Sequence, residues 1–268
     1  MQTFETILVT EAERVLTLAL NRPARRNALT AQMIDELTRA LAAAAGSGAG
    51  VVILTGAGEA FCSGLDLEEL KVMSTRTPAE HLADSQAIAT LLRTLYDLPL
   101  PTVAAVNGAA VAGGMGLATI CDFTLAAPEA KFGYTEVRIG FIPAIVSAYL
   151  LTQVGEKRAR DLLLTGRLID AAEALSLGLV TRIVEADALL PAANDLARLL
   201  LRNSPESLRA TKRLLSEQAR ERLDRAIQDA VQANADLRQT ADFREGLASF
   251  LEKRRPAWPS LDRAKARD

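Results

Sequence analysis

The segment of residues 104–122, AAVNGAAVAGGMGLATICD, constrains the fold most, because it predicts a buried strand, a glycine-rich turn and a helix in succession. An apolar run over residues 102–106 forms the strand, and Asn107-Gly108 ends it. The first N–H groups of a helix that starts near Gly113 and Gly114 have no partner within that helix, and a glycine lets a ligand approach without meeting a Cβ. The segment therefore predicts an oxyanion-binding turn, or else a close contact between helix and strand.

A second segment has the same form. Residues 56–67, GAGEAFCSGLDL, follow the apolar run of residues 51–55 and again predict a strand, a glycine turn and a short helix. Two such turns can supply two N–H donors that converge on one oxygen. The pair favours an oxyanion site over simple packing.

These segments carry a resemblance to a known family. TGAGEAFCSGLDL, AAVNGAAVAGGMGLATICDFTLAA and AKFGYTEVRIGFIP resemble the three signature blocks of the crotonase family, the enoyl-CoA hydratases and isomerases. NRPARRNALT, LTGRLIDAAEALSLGLVTRIV and FREGLASFLEKRRP are also similar, in the same order, over nearly the whole chain. The resemblance implies an α/β fold, a crotonase-like spiral of ββα units. It also implies a core domain over residues 1–203 and a C-terminal helical module over residues 204–268 that builds homo-trimers or hexamers.

Composition excludes several other classes. The 268 residues carry a net charge of −2, and the pI of 5.7 argues against a nucleic-acid surface. Two cysteines and a polar N-terminal stretch predict a cytoplasmic protein, and no apolar run approaches the ~20 residues of a membrane span. The sole histidine, His81, is expected on a helix surface, so a catalytic triad or a multi-histidine metal site is disfavoured.

Local signals predict the elements around the motifs. Residues 7–9 and 15–20 alternate as an antiparallel strand pair, and strand signals cease beyond Val184. Four residues are of the types that cap the N-terminus of a helix. They are Thr30 for a helix ending at Gly46, Thr77 in a capping box for a helix to about Leu98, Asp170 in a second box, and Ser204 before an all-helical tail.

The resemblance implies a reaction through the enolate of an acyl-CoA thioester. By alignment, the N–H groups of Leu65 and Gly113 are the two donors to the enolate oxygen. Each such donor contributes roughly 3 kcal/mol in comparable oxyanion holes. No cofactor is implied beyond the coenzyme A moiety of the substrate, and no metal.

One position departs from the hydratase pattern. Gly116 stands where typical hydratases place a catalytic glutamate, so one of their two acids is missing. Glu136 aligns with the second glutamate and is the predicted acid-base group. Burial beside an apolar acyl pocket is expected to raise its pKa toward neutrality.

A single acid leaves two reactions open. Hydration of a 2-enoyl-CoA is ranked first, because the Ile142-Pro143-Ala144 stretch is similar to that of bacterial hydratases with a glycine at this site, including ones that resemble 3-methylglutaconyl-CoA hydratases. Isomerisation of a Δ3-enoyl-CoA to the Δ2 form by Glu136 alone is the alternative. A dienoyl-CoA isomerase is disfavoured because Gly116 and Ala144 replace its aspartates. A non-catalytic acyl-CoA-binding or RNA-binding relative is a third possibility, which Glu136 and the acidic pI oppose.

Further binding residues follow by position. Arg25 and Arg26 match a segment that contacts CoA, where arginine suits phosphate groups. Met115, Tyr134 and Ile142 are predicted walls of the acyl pocket, with core packing as the equal alternative. Phe250 and Lys253 match tail residues that reach the CoA of a neighbouring subunit. Ala60, Ser63, Gly64, Asp66, Leu67 and Glu68 line the first oxyanion loop, and Gly114 lines the second.

Overall fold

The fold, seen in a computed structural model that describes residues 3–73 and 75–261, contains two β-sheets surrounded by helices. The six-stranded sheet has the order β1-β2-β3-β5-β7-β10, and the four-stranded sheet has the order β4-β6-β8-β9. The strands are β1 Ile7–Ala12, β2 Val15–Leu20, β3 Val51–Gly56, β4 Ala60–Cys62, β5 Thr102–Val106, β6 Ala109–Val111, β7 Phe123–Ala126, β8 Lys131–Gly133, β9 Ile169–Asp170 and β10 Arg182–Ile183.

The larger sheet is built on continuous apolar strands. Every residue of β3 and β5 is buried, as expected for parallel strands covered on both faces. The predicted antiparallel pairing of β1 with β2 is confirmed, with Ile7 opposite Leu20. From β2 onward the strands of this sheet pair in parallel.

The smaller sheet arises from short strands within the two glycine segments. We expected each segment to pass from a strand through a glycine turn directly into a helix. Instead, β4 follows β3 and β6 follows β5, each three residues long, before the helix begins. The result is the ββα unit that the resemblance implies. Strands this short carry too little periodicity to be recognised in the sequence.

Ten α-helices occupy the described residues, and they begin largely where the sequence predicts. Thr30 accepts the N–H of Met33, and Thr77 forms a reciprocal capping box with Glu80. Asp170 caps its helix, but the carboxylate of Glu173 pairs with Arg167 instead of closing the predicted second box. The helices are α1 Ala31–Ala44, α2 Leu67–Met73, α3 Pro78–Asp97, α4 Gly113–Ile120, α5 Ala144–Val154, α6 Glu156–Thr165, α7 Ala171–Ser176, α8 Leu189–Leu201, α9 Pro205–Leu237 and α10 Ala241–Leu251.

The C-terminal helices pack on the core. The 33-residue α9 begins at the predicted cap Ser204 and contacts α3 and α5. One prediction is wrong here: His81 lies on α3 but is buried, because α9 covers this face, and its ring lies near Arg238. The boundary between residues 203 and 204 stays a prediction, and residues 262–268 of the predicted module lie outside the described residues. No helix among the described residues is long and apolar enough to cross a membrane.

Asn27 fastens the N-terminal segment to the loop between β3 and β4. Its Nδ2 donates to the carbonyl oxygens of Ala57 (2.9 Å) and Ala60 (2.8 Å), and its Oδ1 accepts the N–H of Arg22 (2.9 Å). The side chain is fully buried, and its φ of 53° is a left-handed conformation that asparagine tolerates better than most residues. We call these three hydrogen bonds the Asn27 clamp. Arg22 adds a further link between the two segments by pairing with Asp66 at 2.8 Å.

We expect Asn27→Ala to lower the free energy of unfolding by about 3 kcal/mol, because buried carbonyl groups lose their donors. Urea denaturation followed by circular dichroism measures the change. Asn21→Ala is the matched control, since the Asn21 side chain has no hydrogen-bond partner within the described residues, and it should cost less than about 1 kcal/mol. Equal stability of the two variants would contradict the clamp.

Candidate active site

Three parallel strands bring the predicted site residues together. β4, β6 and β8 are neighbours in the smaller sheet and run in the same direction. Their carboxyl ends therefore lie along one edge, where Leu65 follows β4, Gly113 follows β6 and Glu136 follows β8. Topology thus joins two backbone donors and one carboxylate that are far apart in sequence.

The backbone of Leu65 is oriented by its pairing with Leu29. The N–H of Leu29 donates to Gly64 O at 2.7 Å, and the N–H of Asp66 donates to Leu29 O at 2.9 Å. Backbone N–H groups alternate in direction along an extended segment, so the N–H of Leu65 points away from Leu29. It donates no hydrogen bond to another described residue.

The second donor opens α4. Ala112, just before Gly113, has φ 52° and ψ −125°, a strained conformation that costs roughly 1–3 kcal/mol. It is held because its N–H donates to Gly133 O at 2.8 Å and its carbonyl oxygen accepts the N–H of Gly116 at 3.2 Å. The Gly113 N–H lies at the positive end of the helix and has no intrahelical acceptor.

Gly114 lets α4 start directly against β4. A Cβ on Gly114 would lie 2.3 Å from the carbonyl oxygen of Cys62, so only glycine permits this approach. On the other loop, Gly64 has φ 90° and lies against Ala112. A Cβ on Gly64 would lie 3.0 Å from the Cβ of Ala112. The two oxyanion loops are therefore in direct contact.

Glu136 is a buried carboxylate with an unsatisfied oxygen. It begins a 3-10 turn over Glu136–Ile139, and its Oε2 is buried without a hydrogen-bond partner among the described residues. Burial raises the pKa of Glu136 from 4.5 to about 7, with a partial offset from its own backbone N–H. Phe243 of α10 packs on Phe141, directly after this turn, at a ring separation of 5.5 Å. The group is therefore poised to take or give a proton near neutral pH.

A cavity of about 150 Å³ joins these groups. Leu65, Gly113 and Glu136 all line it, and Glu136 has the one titratable side chain among the described residues of its wall. The rest of the wall is mainly aliphatic and aromatic. We call it the acyl cavity, and its other lining residues are Leu29, Ser63, Leu70, Ile88, Ala112, Thr135, Ile139, Phe141, Ile142, Pro143, Ala144, Ile145, Val146, Asn234 and Phe250.

Val146 covers the position at which the hydratase pattern has its other acid. A Cβ on Gly116 would lie 2.6 Å from Cγ1 of Val146. Val146 itself lines the acyl cavity. The space beside the Gly113 turn is therefore filled by an isopropyl group, and Glu136 faces an apolar wall.

The predicted residues of the first oxyanion loop fall into two groups. Ser63 and Leu65 line the acyl cavity, whereas Ala60, Gly64 and Asp66 are buried around it. Leu67 and Glu68 are exposed, and Glu68 pairs with Lys71 at 2.9 Å.

Asp66 holds the loop in place. Its Oδ1 accepts the N–H of Glu68 at 2.8 Å at the start of α2, and its Oδ2 accepts Nη1 of Arg22. Burial alone would raise the pKa of Asp66, but the Glu68 N–H and Arg22 keep it below the ordinary value. The structure places Asp66 as a support for Leu65 and not on the cavity wall.

The two predicted CoA-binding arginines are exposed beside the same loop. Arg25 ends the 3-10 turn Pro23–Arg25, and the carbonyl oxygen of Arg26 accepts the N–H of Ser63 at 3.1 Å. Neither arginine lines the acyl cavity itself.

The residues predicted to wall the acyl pocket, and the two predicted binding residues near the C-terminus, lie in three places: the cavity wall, the core and the surface. Ile142 and Phe250 line the acyl cavity, and the Phe250 ring is also half-exposed. Its contact with a neighbouring subunit stays a prediction. Met115 and Tyr134 are buried in the core outside the cavity wall, where the Tyr134 hydroxyl lies 3.5 Å from that of Thr119. Lys253 is exposed just after α10.

Sequence reasoning missed twelve of the 18 residues that line the wall, and two of these bear on the chemistry. Val146 follows the Ile142-Pro143-Ala144 stretch, and its role emerges only from its contact with Gly116. Asn234 lies in the long polar helix α9, where no motif marks it.

Both cysteines are poor nucleophiles. Cys62 and Cys121 are free thiols, and burial raises the pKa of each to about 12. No group of histidine, cysteine and acidic side chains within the described residues has the arrangement of a metal site.

Comparison with known proteins identifies the family. The model of the enoyl-CoA hydratase/isomerase family matches residues 10–261. A Thermus thermophilus protein that carries an enoyl-CoA hydratase name is 46% identical over 247 residues, covering 92% of this chain and 98% of the relative. A Mycobacterium bovis protein with the same type of name is 37% identical, covering 95% and 98%. The crystal structure of an enoyl-CoA hydratase from Mycobacterium avium subsp. paratuberculosis superposes with a TM-score of 0.85 at 30% identity, covering 96% of this chain and 99% of that one. The predicted α/β crotonase-like fold is thereby confirmed, and the chain belongs to the enoyl-CoA hydratase/isomerase family.

Proposed function

We propose that the protein hydrates 2-enoyl-CoA thioesters, with Glu136 as its acid-base group and the N–H groups of Leu65 and Gly113 as its oxyanion hole. The observation that carries the proposal is the buried carboxylate of Glu136 at the same strand edge as two backbone N–H groups without acceptors. The names of the similar proteins support the choice of hydration.

One carboxylate can complete the reaction. Glu136 takes a proton from water while the water oxygen bonds to C3, and the electrons of the C2=C3 bond move toward the thioester oxygen. The resulting enolate accepts hydrogen bonds from Leu65 and Gly113, each contributing roughly 3 kcal/mol. Protonated Glu136 then gives its proton to C2, which regenerates the carboxylate and leaves the hydroxyl on C3.

The pKa of Glu136 suits both half-reactions. A group with a pKa of about 7 is partly ionised at neutral pH, so it can accept the proton of water and then release it to carbon. The apolar wall around it strengthens the field of the two N–H groups, because little water remains to screen them.

Isomerisation of a 3-enoyl-CoA is the second candidate, and one observation favours it. Val146 fills the space beside Gly116, so no second acid faces Glu136 across the cavity. Moving a double bond needs only one base that takes a proton from C2 and returns it to C4.

The expected partner is the acyl-CoA substrate, and the expected location is the cytoplasm. The reaction draws on the chain's own residues and the coenzyme A of the substrate, with Arg25, Arg26 and Lys253 available to phosphate groups. Two free thiols support a reducing cytoplasm. We expect neither nucleic acid nor membrane as a partner.

The C-terminal helices support a homo-trimer or hexamer. Leu214 and Leu215 of α9 are each more than half exposed, which favours a surface covered by another subunit. Light scattering coupled to size-exclusion chromatography should give three or six times the mass of one chain. A monomer across the micromolar range would contradict this assembly.

The reaction itself is tested by assaying crotonyl-CoA and trans-3-hexenoyl-CoA in parallel, with products separated by mass spectrometry. We expect water addition to crotonyl-CoA to give the 3-hydroxyacyl product. Conversion of the 3-enoyl substrate without hydration would make the protein an isomerase, and inactivity on both would contradict an enzymatic role with these acyl groups.

Glu136→Gln should reduce hydration by about 10³-fold or more, because the amide can neither accept nor return the proton. Glu129→Gln is the matched control, since Glu129 is an exposed glutamate in the turn between β7 and β8. Wild-type turnover by Glu136→Gln would remove Glu136 from the mechanism.

A further inference from the structure

The acyl cavity is lined by a polar group that the hydration mechanism does not use. Asn234 of α9 lines the cavity and is 4% exposed. Its Oδ1 accepts Nη2 of Arg238 at 2.8 Å and the hydroxyl of Ser85 at 2.7 Å. Because a guanidinium can only donate, Arg238 fixes which side of the amide is oxygen. The Nδ2 group therefore faces away from Arg238, and it donates to no other described residue.

Arg238 is a buried cation with incomplete pairing. Its side chain is wholly buried, its Nε has no partner among the described residues, and its guanidinium stacks 5.2 Å from the ring centre of Phe141. Its one ion pair with another described residue is a long contact of 3.4 Å to Oδ2 of Asp84.

Neighbouring acids are already engaged by another arginine. Arg76 binds Oδ2 of Asp84 at shorter range and also pairs with Glu69 at 2.8 Å. Asp84 therefore shares its charge between two guanidinium groups. A buried cation in this situation has capacity for a further anion.

The polar cluster lies next to the path of an acyl chain. Leu65 and Ile88 line both the acyl cavity and an adjoining cavity of about 250 Å³, which Arg76, Asp84 and Arg238 also line. An acyl chain whose thioester lies at Leu65 and Gly113 shares this cavity with Asn234. An apolar chain terminus beside Asn234 would leave its amide without an acceptor.

We propose that this site is built for 2-enoyl-CoA substrates whose acyl chain ends in a carboxylate. The carboxylate accepts a hydrogen bond from Nδ2 of Asn234, and Arg238 supplies the countercharge behind it. This inference rests on the proposed function for the position of the thioester. It adds a specificity determinant that lies apart from Glu136 and the oxyanion hole.

The incomplete pairing of Arg238 favours an anion over a neutral polar terminus. Among the described residues, Arg76 pairs with both Glu69 and Asp84, whereas the one ion pair of Arg238 is its long contact with the shared Asp84, and its Nε is unpaired. A charge-assisted interaction in such a dry setting is stronger than one with a neutral acceptor.

The test compares two substrates that differ only at the chain end: the six-carbon trans-2-enedioyl-CoA and trans-2-hexenoyl-CoA. For the wild-type enzyme we expect kcat/KM for the diacid substrate to be higher by about tenfold or more. Arg238→Gln keeps a donor for Asn234 but removes the charge, so this ratio should fall to about one or below. Arg225→Gln, an exposed arginine of α9 paired with Glu221, is the matched control and should keep the wild-type ratio.

Binding of saturated analogues separates this inference from the proposed reaction. Calorimetry with hexanedioyl-CoA and hexanoyl-CoA needs no turnover, and the wild-type protein should bind the diacid about tenfold more tightly. Tighter binding of the diacid without hydration of either enoyl substrate would overturn the proposed reaction and support the carboxylate site. Equal or weaker binding of the diacid by wild-type protein would overturn the carboxylate site, whatever the reaction.

Discussion

The active site depends on the parallel pairing of three short strands. β4, β6 and β8 contribute only a few backbone hydrogen bonds, yet their shared direction places Leu65, Gly113 and Glu136 at one edge of a sheet. The larger sheet and the helices hold these strands in register. Gly114 and the strained turn at Ala112 then set the distance between the loops. Both N–H groups belong to the backbone, so the proposed oxyanion hole does not depend on the identity of the side chains around it.

Function is maintained at a cost in stability. Glu136 has a folded-state pKa of about 7 against an ordinary value of 4.5, so ionisation of the unfolded chain lowers stability as the pH rises between these values. Above about pH 7 the penalty is constant and on the order of 3 kcal/mol. Clamps elsewhere offset it, notably Asn27 on the β3–β4 loop and the Arg22–Asp66 pair. An apolar residue at 136 would fold more easily and could not move a proton.

Much of the fold could be predicted from the sequence because its signals are local. Continuous apolar runs mark β3 and β5, and Thr30, Thr77 and Ser204 mark helix starts through their own side-chain hydrogen bonds. The motif residues Leu65, Gly113 and Glu136 meet at the acyl cavity as the resemblance implied.

The features that could not be predicted depend on contacts between distant segments. β4 and β6 are too short to show a period. His81 is buried because α9 covers α3. Val146 of α5 contacts Gly116 of α4, and this contact between two helices has no signal in the sequence. Asn234 and Arg238 lie in a helix region whose sequence is mostly polar, where a buried arginine has no distinguishing pattern.

We propose that a single buried carboxylate with a pKa near neutrality carries out both proton transfers. The most direct measurement is a pH titration of the Glu136 carboxyl carbon by ¹³C NMR in glutamate-labelled protein, with the signal assigned by its absence in Glu136→Gln. We predict a midpoint at about pH 7, with Glu136 mostly protonated one pH unit below it. A midpoint near the ordinary value of 4.5 would contradict the account.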